Sequence, residues 1–192
     1  MKKKMISIIA IICLAVFVLS ACGGKSGTGG NTGGGGNTGG NAAETFDVGS
    51  FTVLVPAGWT AFPQNDIFAE KDADGNYPID PTTILLAKDA RDEFAAVTGP
   101  SVRINYYSSD AVIIDSRGFY DDVEEITGIT INDKECSAFS GDSIGYKYQF
   151  ISYNPGDAQY EFSILVNVND KETGITWEDP DVKAIMESVQ TK

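Results

Sequence analysis

The side chains of this 192-residue chain that could do chemistry are carboxylates, because it contains 27 Asp and Glu residues and no histidine. Without histidine, a Ser-His-Asp triad, a Cys-His pair and the usual histidine-containing zinc sites are excluded. Two carboxylates about 5 to 10 Å apart could hydrolyse a glycosidic bond, but sequence spacing cannot identify such a pair. We therefore predict no catalytic residue, and a carboxylate-based hydrolase remains the alternative.

One acidic segment resembles half of a calcium-binding loop. In Glu70-Lys71-Asp72-Ala73-Asp74-Gly75-Asn76, acids alternate with other residues before a glycine, as in the first half of an EF-hand loop. Pro81 stands where a bidentate glutamate would complete the cage. The simpler interpretation is a polar hairpin tip, so we predict no metal site and no cofactor. Whether the Asp72-Asp74 turn binds calcium remains an open question at this point.

Two aromatic pairs, Tyr106-Tyr107 and Phe119-Tyr120, could form a platform that stacks on sugar rings. In a strand with one buried face, alternation places half of such residues in the core. Core packing is therefore the first interpretation, and the platform is the alternative.

Cys22 is the candidate for covalent modification. It ends Leu19-Ser20-Ala21-Cys22, after a positive start at Met1-Lys2-Lys3-Lys4 and an uncharged run from Met5 to Ala21. That run is shorter than the ~20 residues that span a bilayer comfortably. The pattern resembles the signal of bacterial lipoproteins, which implies a diacylglycerol on the Cys22 sulfur and cleavage before this residue. Two acyl chains hold a protein durably at a membrane; a plain transmembrane anchor is the alternative.

Residues 23–44 are rich in Gly, Asn and Thr. Glycine-rich chains behave as random coils, so about 20 residues reach roughly 25 Å. We predict a flexible tether between the lipoprotein signal at residues 1–22 and one globular domain at residues 45–192, on the extracytoplasmic face of the cell membrane.

The charge of the chain excludes one class of partner. Removing the signal takes away three lysines and no acid, which moves the formal net charge from −13 to −16. Such a domain repels nucleic acid and anionic lipid surfaces. We predict no nucleic-acid partner.

Cys136 is the only cysteine that would remain in the domain, so no internal disulfide is possible. Charged residues of both signs precede it, and no histidine is present to activate its thiol. We predict a small buried side chain in a strand.

Alternation of apolar and polar residues predicts several strands in the domain. The antiparallel pair around Asn154-Pro155-Gly156-Asp157 is the clearest, because this turn separates two long alternating runs. The predicted strands are Phe51–Val55, Ile67–Glu70, Thr83–Ala87, Val102–Tyr107, Tyr146–Phe150 and Tyr160–Asn169.

Three helices are predicted. The last one has Asp179 as N-cap, Pro180 at its first position, and Val182, Ile185, Met186 and Val189 on one face. A second runs from Gly118 to Ile126, and a third covers Asp89 to Val97.

These elements resemble the PsbP-like fold. The resemblance rests on Phe51, Val53, Val55, Pro56, Gly58 and Trp59, on a central antiparallel sheet, and on a closing helix that ends Ile185-Met186-Glu187-Ser188-Val189. It implies an α+β fold, a central antiparallel sheet with flanking helices in an α/β/α sandwich. It also implies a binding or accessory module rather than an enzyme, and it transfers no catalytic residue.

The sequence therefore predicts a membrane-anchored, extracytoplasmic binding or accessory module without catalytic activity. Its partners would be the lipid bilayer, through acylated Cys22, and an envelope protein or a small ligand. The alternative is a hydrolase acting on cell-envelope glycans, and a purely structural spacer is the third hypothesis.

Overall fold

The computed structural model of the protein describes residues 42–192. The predicted signal, Cys22 and the tether up to residue 41 lie outside this range. Of the described residues, 49% are in strands and 12% in helices. No helix among them is both long and apolar enough to cross a membrane.

The described chain forms strands with few helices between them. The strands are β1 (Glu44–Asp47), β2 (Phe51–Val55), β3 (Trp59–Asn65), β4 (Ile79–Lys88), β5 (Ser101–Ser108), β6 (Asp121–Ile126), β7 (Thr130–Ile131), β8 (Lys134–Glu135), β9 (Ser137–Ser143), β10 (Tyr146–Tyr153), β11 (Ala158–Val168), β12 (Lys171–Glu172) and β13 (Gln190–Thr191). The helices are α1 (Glu93–Thr98), a 3-10 turn (Arg117–Phe119) and α2 (Pro180–Ser188).

Most strands belong to one large antiparallel sheet with the order β3-β4-β5-β11-β10-β9-β6, and β12 extends β11. A smaller sheet has the order β1-β2-β13, and β7 pairs with β8. In this order β11 is the central strand, and β5 pairs with it over eight residue pairs. This pairing decides which side chains meet at the candidate site.

The main core lies between one face of the large sheet, the small sheet and α2. Strand alternation places Val102 and Ile104 of β5 and Phe162 and Ile164 of β11 on this inner face, all 0% exposed. The small sheet adds Phe51, Val53 and Val55, and α2 adds Val182, Ile185 and Met186. Since the chain has no disulfide among these residues, burial of this apolar surface is the main stabilising contribution.

Asp181 connects the first turn of α2 to the large sheet. Its carboxylate Oδ2 accepts hydrogen bonds from the Trp59 indole Nε1 at 3.0 Å and from the Lys88 Nζ at 3.1 Å. The indole bond and then the lysine bond lower the pKa of Asp181 below its usual value. A carboxylate in the first helical turn is also stabilised by the helix dipole.

Replacing Asp181 with asparagine is expected to lower the free energy of unfolding by about 1 kcal/mol at neutral pH. Because the pKa of Asp181 is lower in the folded state, the contribution of its charge is present above the unfolded pKa and is lost as pH falls through the folded value. Urea unfolding of the wild type and Asp181→Asn should therefore converge below about pH 4. A constant difference down to pH 2 would contradict this assignment.

Several sequence predictions are confirmed. Strand β2, the turn at Pro56 to Trp59 and the β10–β11 hairpin are present. Helix α2 has Asp179 as its N-cap, whose side chain accepts from the Asp181 backbone N–H, and it buries the predicted apolar face.

The predicted α+β class was wrong, and with it the PsbP-like α/β/α sandwich with flanking helices. Residues 42–192 are mostly β and contain only two α-helices, of six and nine residues. The error has a physical source: segments with helical apolar spacing pair with distant strands, which local pattern does not reveal.

The predicted helix from Gly118 to Ile126 was wrong. Its apolar residues have helical spacing, but the chain forms the 3-10 turn and then β6, which pairs with β9 at the sheet edge. Asp122 has a φ of 48°, which interrupts the strand with a bulge and is incompatible with a helix.

Two other predictions at the first half of the domain need correction. Ile67 and Phe68 form a turn instead of a strand, because the Asp66 carboxylate accepts from the backbone N–H groups of Phe68 and Ala69. The predicted helix at Asp89–Val97 begins only at Glu93, after Asp89 takes a φ of 54°. Ala96 fills the core there, while Phe94 is 77% exposed.

Candidate functional site

The second face of the large sheet carries polar and aromatic side chains at its centre. We call this surface the polar face. Its central side chains are each partly exposed, in contrast to the buried residues that alternate with them on the inner face. They are Arg103, Asn105 and Tyr107 of β5, Glu161 and Ser163 of β11, and Tyr148 of β10.

Strand register brings these residues into rows across the sheet. Asn105 lies opposite Glu161, and on its other side it lies opposite Thr83 of β4. Arg103 lies opposite Ser163, which in turn lies opposite Phe150 of β10. Directly opposed residues have Cβ atoms about 5 Å apart, so each row is a contact surface.

Glu161 is the carboxylate at the centre of the polar face. Its Oε1 accepts a hydrogen bond from Asn105 Nδ2 at 3.5 Å, which is long for such a bond. The five ion pairs found within residues 42–192 do not include Glu161. Burial raises the pKa of Glu161, and the Asn105 hydrogen bond opposes this increase only in part. A partly buried, incompletely bonded carboxylate of this kind is typical of a binding or catalytic position.

Tyrosines surround this carboxylate. Burial, and then the negative charge of Glu161, raises the pKa of Tyr107 to about 12. The same two causes raise the pKa of Tyr120, so both hydroxyl groups lie within electrostatic reach of Glu161. These tyrosines stay neutral near pH 7 and present ring faces and hydroxyl groups.

Arg103 and Tyr148 form the neighbouring part of the polar face. Burial lowers the pKa of Arg103, and the phenol of Tyr148 opposes this decrease. Burial raises the pKa of Tyr148 to about 12. The guanidinium still remains charged at neutral pH.

An aromatic cluster borders the site on the side of β9. Tyr120 contacts Phe150 with a ring centroid distance of 4.7 Å, and Phe139 contacts Phe150 at 4.8 Å. Gly141 makes room for Tyr120, because a Cβ at this glycine would lie 2.8 Å from the Tyr120 Cβ. The glycine thereby allows Tyr120 to pack close to β9.

Two segments pack on the polar face on either side of its centre. Helix α1 packs Ala96 against Phe62, Leu85 and Ala87 of β3 and β4. The connection from residue 109 to residue 120 crosses the face over β11 and β9: Gln159 Nε2 donates to the Ala111 carbonyl at 2.8 Å, and Arg117 lies 4.7 Å above the Phe139 ring. Arg103 and Asn105 lie on β5 between these two segments, and Glu161 lies on β11, two residues after Gln159.

A groove lies on the other side of the domain from the polar face. This groove has a volume of about 330 Å³ and lies between the β7 segment and α2. Lys183 Nζ lies 5.2 Å above the Trp177 ring at this groove. Its lining is Gly128, Ile129, Thr130, Ile131, Trp177, Lys183, Met186 and Glu187.

The acidic segment considered for calcium forms a turn closed by its own backbone. Asp72 Oδ1 accepts from the N–H groups of Asp74 at 2.9 Å and Asn76 at 2.8 Å. Within residues 42–192, no group of three or more Asp, Glu, Cys or His side chains is arranged to hold a metal ion.

The two aromatic pairs considered for a platform separate in the structure. Tyr106 packs into the core against Phe51 and Tyr160, with centroid distances of 6.1 and 5.7 Å. Tyr107 and Tyr120 both lie on the polar face, while Phe119 is 58% exposed. One residue of each pair therefore reaches the candidate site.

Cys136 is buried, as predicted, although it lies between β8 and β9 and not within a strand. Burial raises the pKa of its thiol, so it is less reactive than an exposed cysteine.

Sequence patterns did not predict Arg103, Asn105, Tyr148 or Glu161 as site residues. Alternation along β5 and β11 already places the first two and Glu161 at positions facing away from the core. Each of these two strands has a charged residue near its middle on the outer face, and this pattern could have indicated a site. Which residues meet there, however, depends on the register between the strands.

Comparison with known proteins gives no family. No protein-family model matches this sequence, and no curated protein matches it. A crystal structure from Bacteroides thetaiotaomicron VPI-5482, determined at 1.50 Å resolution, is similar to this chain with a TM-score of 0.45 and 13% sequence identity. The similarity covers 79% of this chain and 49% of that chain, so this chain spans about half the length of the solved one.

Proposed function

We propose that this protein is a membrane-tethered binding module that uses the polar face of its large sheet to bind a small organic ligand outside the cytoplasm. The observation that carries the proposal is the partly buried carboxylate of Glu161, held at 3.5 Å by Asn105 among tyrosines. Binding sites combine apolar or aromatic walls with a few convergent polar groups, and this surface has both.

The polar face supports binding because the Glu161 carboxylate takes no part in the ion pairs found within residues 42–192. Those ion pairs join other residues, for example Lys88 to Asp181 and Arg117 to Glu125. A partly buried charged group costs stability unless it is well bonded. A ligand that bonds to Glu161 would remove part of that cost, which gives a thermodynamic reason for binding.

The membrane part of the proposal rests on the sequence alone. The uncharged run, Leu19-Ser20-Ala21-Cys22 and the glycine-rich residues that follow resemble a bacterial lipoprotein signal and its tether. Two acyl chains on Cys22 would hold the protein at the outer face of the cell membrane.

A carboxylate-based hydrolase is the second candidate, because a raised pKa is what a general acid requires. Such a hydrolase also requires a second carboxylate about 5 to 10 Å from the first. On the same face, Glu125 of β6 lies three strands from β11, or about 14 Å at ordinary strand spacing, and it pairs with Arg117. Glu125 is therefore too far from Glu161 to act with it as a catalytic pair.

Filling the polar face should abolish binding. Ser163 lies between Arg103 and Phe150, so Ser163→Phe places a ring at the centre of the site. Neutral oligosaccharides, organic amines and carboxylic acids would be screened in detergent for compounds that raise the melting temperature of the full chain. We expect those compounds to bind Ser163→Phe at least tenfold more weakly than the wild type.

The matched control is Thr130→Phe, which adds the same ring beside the groove at α2. It should leave binding unchanged. If every stabilising compound is lost in Thr130→Phe and kept in Ser163→Phe, the ligand binds the groove and the proposal is wrong. Circular dichroism of both variants shows whether each one is folded.

A further inference from the structure

We propose that the polar face recognises an organic cation, an ammonium group held by the Glu161 carboxylate and the rings of Tyr107 and Tyr120. This inference rests on the proposed function, because it names the ligand class of the same site. Aromatic rings with a carboxylate recognise alkylated ammonium ions through cation–π attraction and charge.

The first argument is the position of the side chains. Glu161 lies opposite Asn105, and Tyr107 follows Asn105 by two residues on the same face of β5, so Tyr107 is a diagonal neighbour of Glu161. Diagonal neighbours lie about 7 to 8 Å apart, within the reach of an aromatic side chain. Tyr120 approaches from the other side, since its ring packs on Phe150, which lies one row along the sheet from Glu161. The carboxylate thus lies between the side chains of Tyr107 and Tyr120, and both phenol groups are within its electrostatic reach.

The second argument is the bonding of Glu161. Within residues 42–192, the one hydrogen bond to the Glu161 carboxylate comes from the neutral side-chain amide of Asn105 at 3.5 Å. The ion pairs of this range do not include Glu161. An ionised carboxylate can accept about four hydrogen bonds. An ammonium ion would supply the charge that the protein does not place against it.

The third argument is the charge of the whole chain. The formal net charge of −13 attracts cations and repels anions over distances of about a Debye length. Arg103, the cation on the same face, lies two residues before Asn105, on the opposite side of it from Tyr107, and it interacts with Tyr148. The part of the polar face between Glu161 and Tyr107 is therefore the part suited to a positive ligand.

The experiment compares choline with the neutral alcohol in which a quaternary carbon replaces its nitrogen. The two probes have the same shape, so their affinities differ only through the charge. Calorimetric titration of the full chain in detergent should show choline binding at least tenfold more tightly. In Glu161→Gln the preference for choline should disappear, while in the matched control Glu172→Gln on exposed β12 it should remain.

Tyrosine variants test the ring contribution. Tyr107→Phe keeps the ring and should change choline affinity less than threefold, whereas Tyr107→Leu should weaken it at least fivefold. Equal affinity of choline and the alcohol, or a choline preference that persists in Glu161→Gln, would overturn the inference.

The outcomes also separate this inference from the proposed function. If neither probe binds while other compounds are lost in Ser163→Phe, the polar face binds a ligand of another class and only the cation inference fails. If no compound is sensitive to Ser163→Phe, both fail.

Discussion

Trp59→Ala is expected to lower the free energy of unfolding by about 3 to 5 kcal/mol, the range for a large aromatic residue removed from a core. Trp59 is 0% exposed and lies in the main core beside the residues of β2 and α2. Its indole also donates to Asp181, so the variant loses the bond between β3 and α2 as well as the packing. Since domains are stable by only about 5 to 15 kcal/mol, the variant should be close to unfolding.

The matched control is Trp177→Ala, which removes the other tryptophan of the chain. Trp177 is partly exposed and packs at the border of the core, so its loss should cost less than about 2 kcal/mol. Urea unfolding followed by far-ultraviolet circular dichroism measures both variants without relying on tryptophan fluorescence. Similar losses in the two variants would contradict the placement of Trp59 at the centre of the core.

If Cys22 carries the proposed diacylglycerol, Cys22→Ser is expected to abolish lipid attachment entirely, because serine lacks the sulfur to which it would be attached. Radiolabelled palmitate should be incorporated into the wild type and not into this variant. The variant should also keep its signal, because cleavage in lipoproteins of this kind follows lipidation, and intact mass would show the uncleaved chain. This prediction rests on Leu19-Ser20-Ala21-Cys22.

Cys136→Ser is the control for that experiment, since it removes the cysteine that is buried in the domain. Palmitate incorporation should be unchanged in it. Labelling that persists in Cys22→Ser would mean that the N-terminal segment is not a lipoprotein signal, and the protein would then lack the proposed anchor.

The sequence predicted the local elements of the domain better than its class. Helix α2 could be predicted because its N-cap at Asp179, its Pro180 and its apolar face are local features. The β10–β11 hairpin could be predicted because Asn154 to Asp157 form a turn between two alternating strands. Strand β6 could not, because its pairing with β9 depends on residues more than ten positions away.

The candidate site could be predicted only in part for the same reason. Alternation places Asn105 and Glu161 on the outer face of their strands, but 56 residues separate them in the chain. Their contact depends on the register between β5 and β11, which no turn between these strands fixes. Tyr120 lies at the site because the connection from residue 109 to residue 120 crosses the sheet. The apolar–polar periodicity of a sequence does not predict the course of such a connection.

The central claim is that the polar face is the binding surface, and amide hydrogen exchange of the full chain with and without saturating choline tests it most directly. The account predicts slower exchange in peptides from β5 and β11 and in the connection from residue 109 to residue 120, with no change in α2. Slower exchange confined to α2 and the β7 segment would place the ligand in the groove and contradict the account.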